Sequence, residues 1–214
     1  MSLPFKFISI EGNIGSGKTS LVNKIITDFK GKIILEKFAD NPFLPDFYKD
    51  PERHAFPLEM FFMAERFQQL SLNINHQDLF SELTVSDYSF FKSKLFAQNN
   101  LKENELDLFN RLYNIMFSSI KKPDLLIYLH SDIKRLQQNI KQRGRQYERN
   151  ITDDYLKSIE TRYFNYINKQ SSYYALILDI TNVNFIKDRS VYVEIIESIN
   201  TFDSSKRIIR KILS

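Results

Sequence analysis

FISIEGNIGSGKTS, residues 7 to 20, runs from an apolar segment through a glycine-rich turn into a pattern that begins a helix. Within it GNIGSGKT, Gly12 to Thr19, fits the spacing G-x-x-x-x-G-K-[ST]. Gly12, Asn13, Ile14, Gly15, Ser16, Gly17, Lys18, Thr19 and Ser20 are expected to wrap phosphate oxygens with inward-turned amide N–H groups, the glycines leaving room where a Cβ would block approach. The N-terminus of the following helix adds partial positive charge at that point. Lys18 then reaches the β- and γ-phosphates, and Thr19 offers its hydroxyl to Mg²⁺. A chance glycine turn is the alternative, and the flanking strand and helix signals argue against it. The expected ligand is ATP or a close analogue.

Working outward, five short apolar, β-branched runs stand out: 5–11, 32–38, 82–87, 124–130 and 175–181. Their near-continuous hydrophobicity suits strands covered on both faces, as in a parallel sheet, and helical patterns alternate with them. Helices are expected over about 54–75, 102–120, 132–142 and 153–170, the last capped by Thr152 or Asp153. Pro57 is tolerated only in a first turn, which places the first of these starts near Ala55 or Phe56. The basic tail SSKRIIRKILS reads as a terminal helix or strand. The expected fold is a three-layer α/β/α P-loop architecture with a five-stranded parallel sheet and a helical lid, all in one domain over residues 1–214.

Composition narrows the function classes. The net charge is +4, with 30 basic against 26 acidic residues and no dense basic stripe, which suits a phosphorylated ligand better than nucleic acid. No apolar run reaches the ~18 residues of a membrane span. The N-terminus lacks a secretory pattern. Cysteine is absent, which removes disulfides and thiolate chemistry. The expectation is a soluble cytoplasmic protein without nucleic-acid or membrane partners.

The second strand run ends in ILEKFADNPF and presents Glu36 at a carboxyl edge, where open α/β sheets place their sites. A carboxylate beside a γ-phosphate is electrostatically awkward unless the acceptor is a neutral hydroxyl that must shed a proton. A phosphate-bearing acceptor would call for cations instead. A surface glutamate at a strand end is the plain alternative. Further on, KQRGRQYER (141–149) gathers four basic residues around one glycine, a composition that can clamp phosphate oxygens from a mobile loop.

These features together resemble the deoxynucleoside kinase family, its bacterial purine-phosphorylating members most of all. The match runs from the P-loop through DNPFLPDFYKDPERHAF and RFQQL to KQRGRQYE. The resemblance implies ATP-dependent, Mg²⁺-assisted transfer of the γ-phosphate to the 5′-hydroxyl of a deoxynucleoside, by a homodimer. It makes Glu36 the catalytic base, puts Tyr48 and Glu148 on the sugar 3′-hydroxyl, and makes Arg143 and Arg145 the closing arginines of a lid at about 141–151. It also places Asp87 on the Mg²⁺ side together with Thr19. In VSDYSFFKSK, however, Tyr88, a candidate substrate contact, stands where relatives carry an arginine beside the acceptor oxygen. Lys37, Lys92 or a lid arginine is left to supply that cation. Ser93 replaces an acidic partner of the helix arginine found in several relatives, which implies that Arg66 is freer to donate to a base. A polar turn, Thr181 to Asn184, falls where relatives place a donor-base loop.

On the long helical pattern Glu59 and Arg66 are seven residues apart and share one face, with Phe62 and Met63 between. That combines an apolar slot with polar ends suited to a flat heterocycle, although aromatic stripes are more often core. Relatives often carry glutamine at the position of Glu59. A carboxylate only accepts hydrogen bonds, which favours a donor-rich base edge and a purine. Phe38, Phe43, Phe61 and Phe62 are candidate walls. Two rivals stay open at this level: a nucleoside monophosphate kinase of the thymidylate-kinase type, and a nucleotide-binding interaction protein with little turnover.

Overall fold

β1 (Phe7–Gly12) is buried along its whole length, and its central place in the sheet explains its near-unbroken apolar sequence. The computed structural model describes residues 3–37, 41–74 and 83–214. After β1 come α1 (Lys18–Phe29), β2 (Lys32–Ile34), α2 (Leu44–Phe47), α3 (Pro51–Ile74), β3 (Thr84–Ser86), α4 (Phe91–Asn100) and α5 (Glu103–Phe117). The chain continues through β4 (Leu125–His130), α6 (Ile133–Arg143), α7 (Asp153–Lys169), β5 (Tyr174–Asp179), α8 (Arg189–Asn200) and β6 (Ile208–Ile212).

The strands form one parallel sheet in the order β2-β3-β1-β4-β5-β6. Six strands replace the five expected, because the basic tail adds β6 in register with β5, Ala175 opposite Ile208. Arg210 and Lys211 give this edge charges that discourage further pairing. Arg207, just before it, donates to the Ile167 and Asn168 carbonyls at the end of α7, where a cation meets the negative end of the helix dipole.

Alternation along the strands splits the core into two layers. Ile8, Ile10, Leu125 and Ile127 face α1 and α8, meeting Leu21, Ile25, Val191 and Ile195. On the opposite face Leu126, Tyr128 and Ala175 meet Phe91 of α4 and Ile159 and Tyr163 of α7. A third cluster joins α3, α4 and α5 through Leu58, Met63, Phe90, Phe109 and Tyr113. The three-layer α/β/α reading therefore holds. Among the described residues no helix is long and apolar enough to cross a membrane.

Two local expectations are corrected. α3 starts at Pro51, so Pro57 lies inside it. Pro51 takes the first helical position, where the missing N–H costs nothing, and the bond that Pro57 forfeits would have gone to exposed Arg53. α2 (Leu44–Phe47), α4 (Phe91–Asn100) and α8 (Arg189–Asn200) were not anticipated by any expected helix. The ends of α6 and α7 follow the sequence: Asp132 and Thr152 cap them by accepting from Arg135 N and Tyr155 N, and Gly144 closes α6 at φ 74°.

Candidate active site

The glycine-rich loop joins β1 to α1 at the carboxyl edge of the sheet. Gly15 has φ 85°, and a Cβ there would lie 2.8 Å from the Leu136 carbonyl oxygen, so α6 closes on the loop only because no side chain intervenes. Asn139 Nδ2 of α6 donates to the Gly15 carbonyl (2.8 Å), and Asn13 Nδ2 donates to the Leu156 carbonyl of α7 (2.8 Å). Lys18 Nζ donates to the carbonyls of Gly12 (3.0 Å) and Asn13 (2.8 Å). Burial, then the charge of Lys92, brings the Lys18 ammonium down to about 8, against the pull of Glu11, Asp87 and Glu36. Ser16 Oγ is buried without a hydrogen-bond partner, as a group built to meet an anion's oxygens would be.

This loop floors a cleft of about 760 Å³. Of the residues singled out from the sequence, Ile14 through Ser20, Glu36, Tyr48, Glu59, Phe62, Arg66, Asp87, Arg143, Arg145 and Glu148 all line it. Gly12 and Asn13 lie beneath, at the end of β1. The loop after β5 also contributes, through Val183 and Asn184, while Thr181 Oγ1 accepts from Asp132 N and ties that loop to α6.

Glu36 sits just past β2 and is held from three sides. Its backbone N–H donates to Asp87 Oδ1 (2.8 Å). Arg66 donates to Oε1 through Nε (2.7 Å) and Nη2 (2.6 Å), and Lys92 Nζ lies 2.6 Å from Oε2. Burial pushes the carboxyl up, but Lys92 and Arg66 outweigh it and bring it down to about 2. Of the substitutes offered for the cation missing at Tyr88, Lys92 is the one the structure sets beside Glu36. Lys37 is exposed, and the lid arginines pair elsewhere.

Tyr88 does not meet the expectation of substrate contact. It is fully buried in the cluster of α3, α4 and α5, and its hydroxyl donates to Gln69 Oε1 (2.7 Å). A large amphipathic ring gains more from apolar burial with one hydrogen bond than from a charged cleft. The expected release of Arg66 is corrected too, because its guanidinium also donates to Ser93 Oγ (2.9 Å) and lies 4.8 Å from the Phe62 ring centroid. Phe43 and Phe61 pack on each other instead of lining the cleft, and Phe38 lies outside the described residues. Leu58, Phe47 and Phe96 join Phe62 as the apolar walls.

Glu148 is buried and receives both lid arginines: Arg143 Nε donates to Oε2 (3.0 Å) and Arg145 Nη1 to Oε1 (3.1 Å). Tyr48 stacks on Tyr147. Burial, then the neighbouring Tyr155 and Glu148, raises its hydroxyl well above the usual range. Glu59 of α3 is buried beside Asn100 of α4, whose Nδ2 donates to Oε1 (2.7 Å). Burial lifts the Glu59 carboxyl to about 7, against Arg66, the Asn100 hydrogen bond and Lys92.

Thr19 Oγ1 donates to Asp87 Oδ2 (2.5 Å), which joins the two residues assigned to Mg²⁺. No cluster of three or more acidic or histidine ligands exists among the described residues. One carboxylate and one hydroxyl fit Mg²⁺ carried in with a triphosphate, since that ion keeps waters and phosphate oxygens as its main ligands.

Asn100, Phe96, Tyr155, Arg135 and Asn139 line the cleft without having been singled out. The available signal was spacing: Lys92, Phe96 and Asn100 recur every four residues, as one helix face requires.

Comparison with known proteins agrees with this geometry. The family model for deoxynucleoside kinase matches residues 8–203. The chain is 33% identical over 157 residues to the deoxyguanosine kinase of Bacillus subtilis, covering 73% of this chain and 76% of that protein. It is 28% identical over 202 residues to the deoxyadenosine kinase of Lactobacillus acidophilus, covering 90% and 94%. The fold is shared with the solved structure of deoxyadenosine kinase from M. mycoides with bound dATP, at TM-score 0.75 and 22% identity, covering 90% of this chain and 97% of that one. The chain belongs to the deoxynucleoside kinase family. Its activity is accordingly that of an ATP-dependent phosphotransferase acting on a deoxynucleoside.

Proposed function

We propose that the acceptor is a purine deoxynucleoside, deoxyadenosine or deoxyguanosine, whose 5′-hydroxyl is phosphorylated by ATP with Glu36 receiving the proton. The carrying observation is that Glu36 shares one cleft with Lys18 and is held at Asp87 by its own backbone amide. The 5′-oxygen forms a bond to the γ-phosphorus while the bond to the β,γ-bridging oxygen breaks and ADP departs. Glu36 lies low as a base, but in a loose transition state the hydroxyl proton becomes strongly acidic once its oxygen bonds to phosphorus. A weak, well-oriented acceptor then suffices. Lys18, Lys92, Arg143 and Arg145 supply charge to the transferring group, the last two from a lid at about 141–151. Mg²⁺ would be held by Thr19 and Asp87 and would neutralise phosphate charge. Tyr48 and Glu148 suit the sugar 3′-hydroxyl. Phe62 and Glu59 suit the base, with Arg66 holding Glu36 beside it.

The relatives named deoxyguanosine and deoxyadenosine kinases support a purine. The remaining part of the reading is one catalytic domain acting as a homodimer. Leu108 and Ile115, 43% and 71% exposed and seven residues apart on one face of α5, suit such a contact. ADP release measured with each of four deoxynucleosides, and separately with their monophosphates, tests the reading. Stimulation by the purine nucleosides is expected. Stimulation by monophosphates alone would overturn it.

A further inference from the structure

Glu59 Oε2 is a buried carboxylate oxygen with no hydrogen-bond partner, in the wall of the cleft and away from the glycine-rich loop that carries the unpartnered Ser16 Oγ. Its other oxygen is fixed as an acceptor by Asn100 Nδ2, and Asn99 Nδ2 in turn donates to Asn100 Oδ1 (3.1 Å), which fixes the amide's orientation. Any proton on this carboxyl therefore resides on Oε2, the atom left for the base. An orphaned buried acceptor is costly unless a ligand or a proton satisfies it.

Two occupants satisfy it differently. Guanine presents N1–H and its 2-amino group, two donors side by side, which match an ionised carboxylate. Adenine presents the N1 lone pair beside the 6-amino group, and cytosine the N3 lone pair beside its 4-amino group. Each of those edges needs a donor next to an acceptor, which a protonated carboxyl supplies as an amide would.

We propose, resting on the deoxynucleoside kinase reading above, that Glu59 and Asn100 form a proton-dependent base reader, taking guanine when Glu59 is ionised and adenine or cytosine when Oε2 carries a proton. The groups facing Glu59 are Arg66 on its own helix, Lys92 on α4, Glu36 after β2 and Tyr155 on α7. Burial opposes the two cations among them and leaves the carboxyl poised near neutrality. Both protonation states are thus populated in the range where the enzyme can be assayed. Where each form accepts only its own base, the ratio of the two kcat/KM values follows the ratio of ionised to protonated enzyme. It changes about tenfold per pH unit.

The test measures kcat/KM for deoxyguanosine, deoxyadenosine and deoxycytidine from about pH 6 to pH 8, a range that spans neutrality and leaves all three bases uncharged. Taking ratios cancels every titration common to the substrates, including those of Glu36, Lys18 and ATP. The deoxyguanosine-to-deoxyadenosine ratio should rise with pH, the deoxyguanosine-to-deoxycytidine ratio should rise with it, and deoxyadenosine-to-deoxycytidine should stay flat. Glu59→Gln should hold all ratios flat, on the adenine side. A wild-type ratio independent of pH, with turnover intact, would overturn the proton-dependent reader alone. Absence of turnover with every deoxynucleoside would overturn the kinase reading and this proposal with it.

Discussion

Lys92 Nζ, from the first turn of α4, lies 2.6 Å from Oε2 of Glu36, fifty-six positions earlier in the chain. Both side chains are nearly buried, so the pair works where water screens little. The lysine heads the charges that pull the Glu36 carboxyl down and also lowers the neighbouring Lys18.

Replacing that lysine should therefore alter an acid limb as well as a rate. In Lys92→Met, Glu36 loses its foremost cationic neighbour and its carboxyl rises. The acid limb of the kcat/KM profile should move to higher pH, and turnover should fall by ~10-fold or more. Lys92→Arg should recover most of the rate. An unmoved limb in the Met variant would remove Lys92 from the transfer site.

Glu36→Gln keeps the shape and one acceptor but cannot take the proton. Turnover should fall by at least ~10²-fold. Binding of ATP, followed by a fluorescent analogue, should persist because the loop contacts are separate. Near-wild-type turnover would dismiss the assigned role.

Arg143 and Arg145 share Glu148, so the proposed lid and the proposed sugar contact would be linked by charge. Arg143→Ala should lower kcat by on the order of 10²-fold with a smaller change in ATP affinity. Glu148→Gln should raise KM for the deoxynucleoside more than for ATP. Equal effects on both KM values would contradict the division of labour.

His130 lies between Glu160 and Asp179, each 3.1 Å from one ring nitrogen. The Glu160 hydrogen bond raises its pKa against partial burial, with Asp179 adding to the rise. A folded pKa above the unfolded value of about 6.5 stabilises the protein fully below that value and loses the gain as pH rises through the folded one. His130→Gln should accordingly lower the urea midpoint in mild acid and leave it nearly unchanged in alkali. An equal loss at both ends would show that only shape matters there.

The strands β1 to β5, the phosphate loop, and the placement of Glu36, Arg143 and Arg145 at one cleft were readable in the sequence because each depends on local chemistry: apolar runs, glycine spacing, a carboxylate at a strand end, arginines around a helix stop. Lys92 was readable only as one of three substitutes for a missing cation. Which lysine reaches Glu36 depends on how α4 leaves β3, a tertiary fact with no local signature. Tyr88 went inward for the same reason, since its neighbours are contributed by α3 and α5. β6 needed its partner strand, because a mixed basic and aliphatic tail becomes a strand only when β5 offers an edge. Pro57 shows the converse: a sound local rule is overridden where exposed Arg53 can leave its carbonyl to solvent.

α4 carries Lys92 to Glu36, Ser93 to Arg66, and Asn100 to Glu59. On the reading proposed above, these ten residues would couple the speed of the reaction to the identity of the nucleoside. A tilt that retunes one end disturbs the other. Broadening this enzyme toward unnatural nucleosides should come more cheaply from α3 or the aromatic walls than from the helix that serves both tasks.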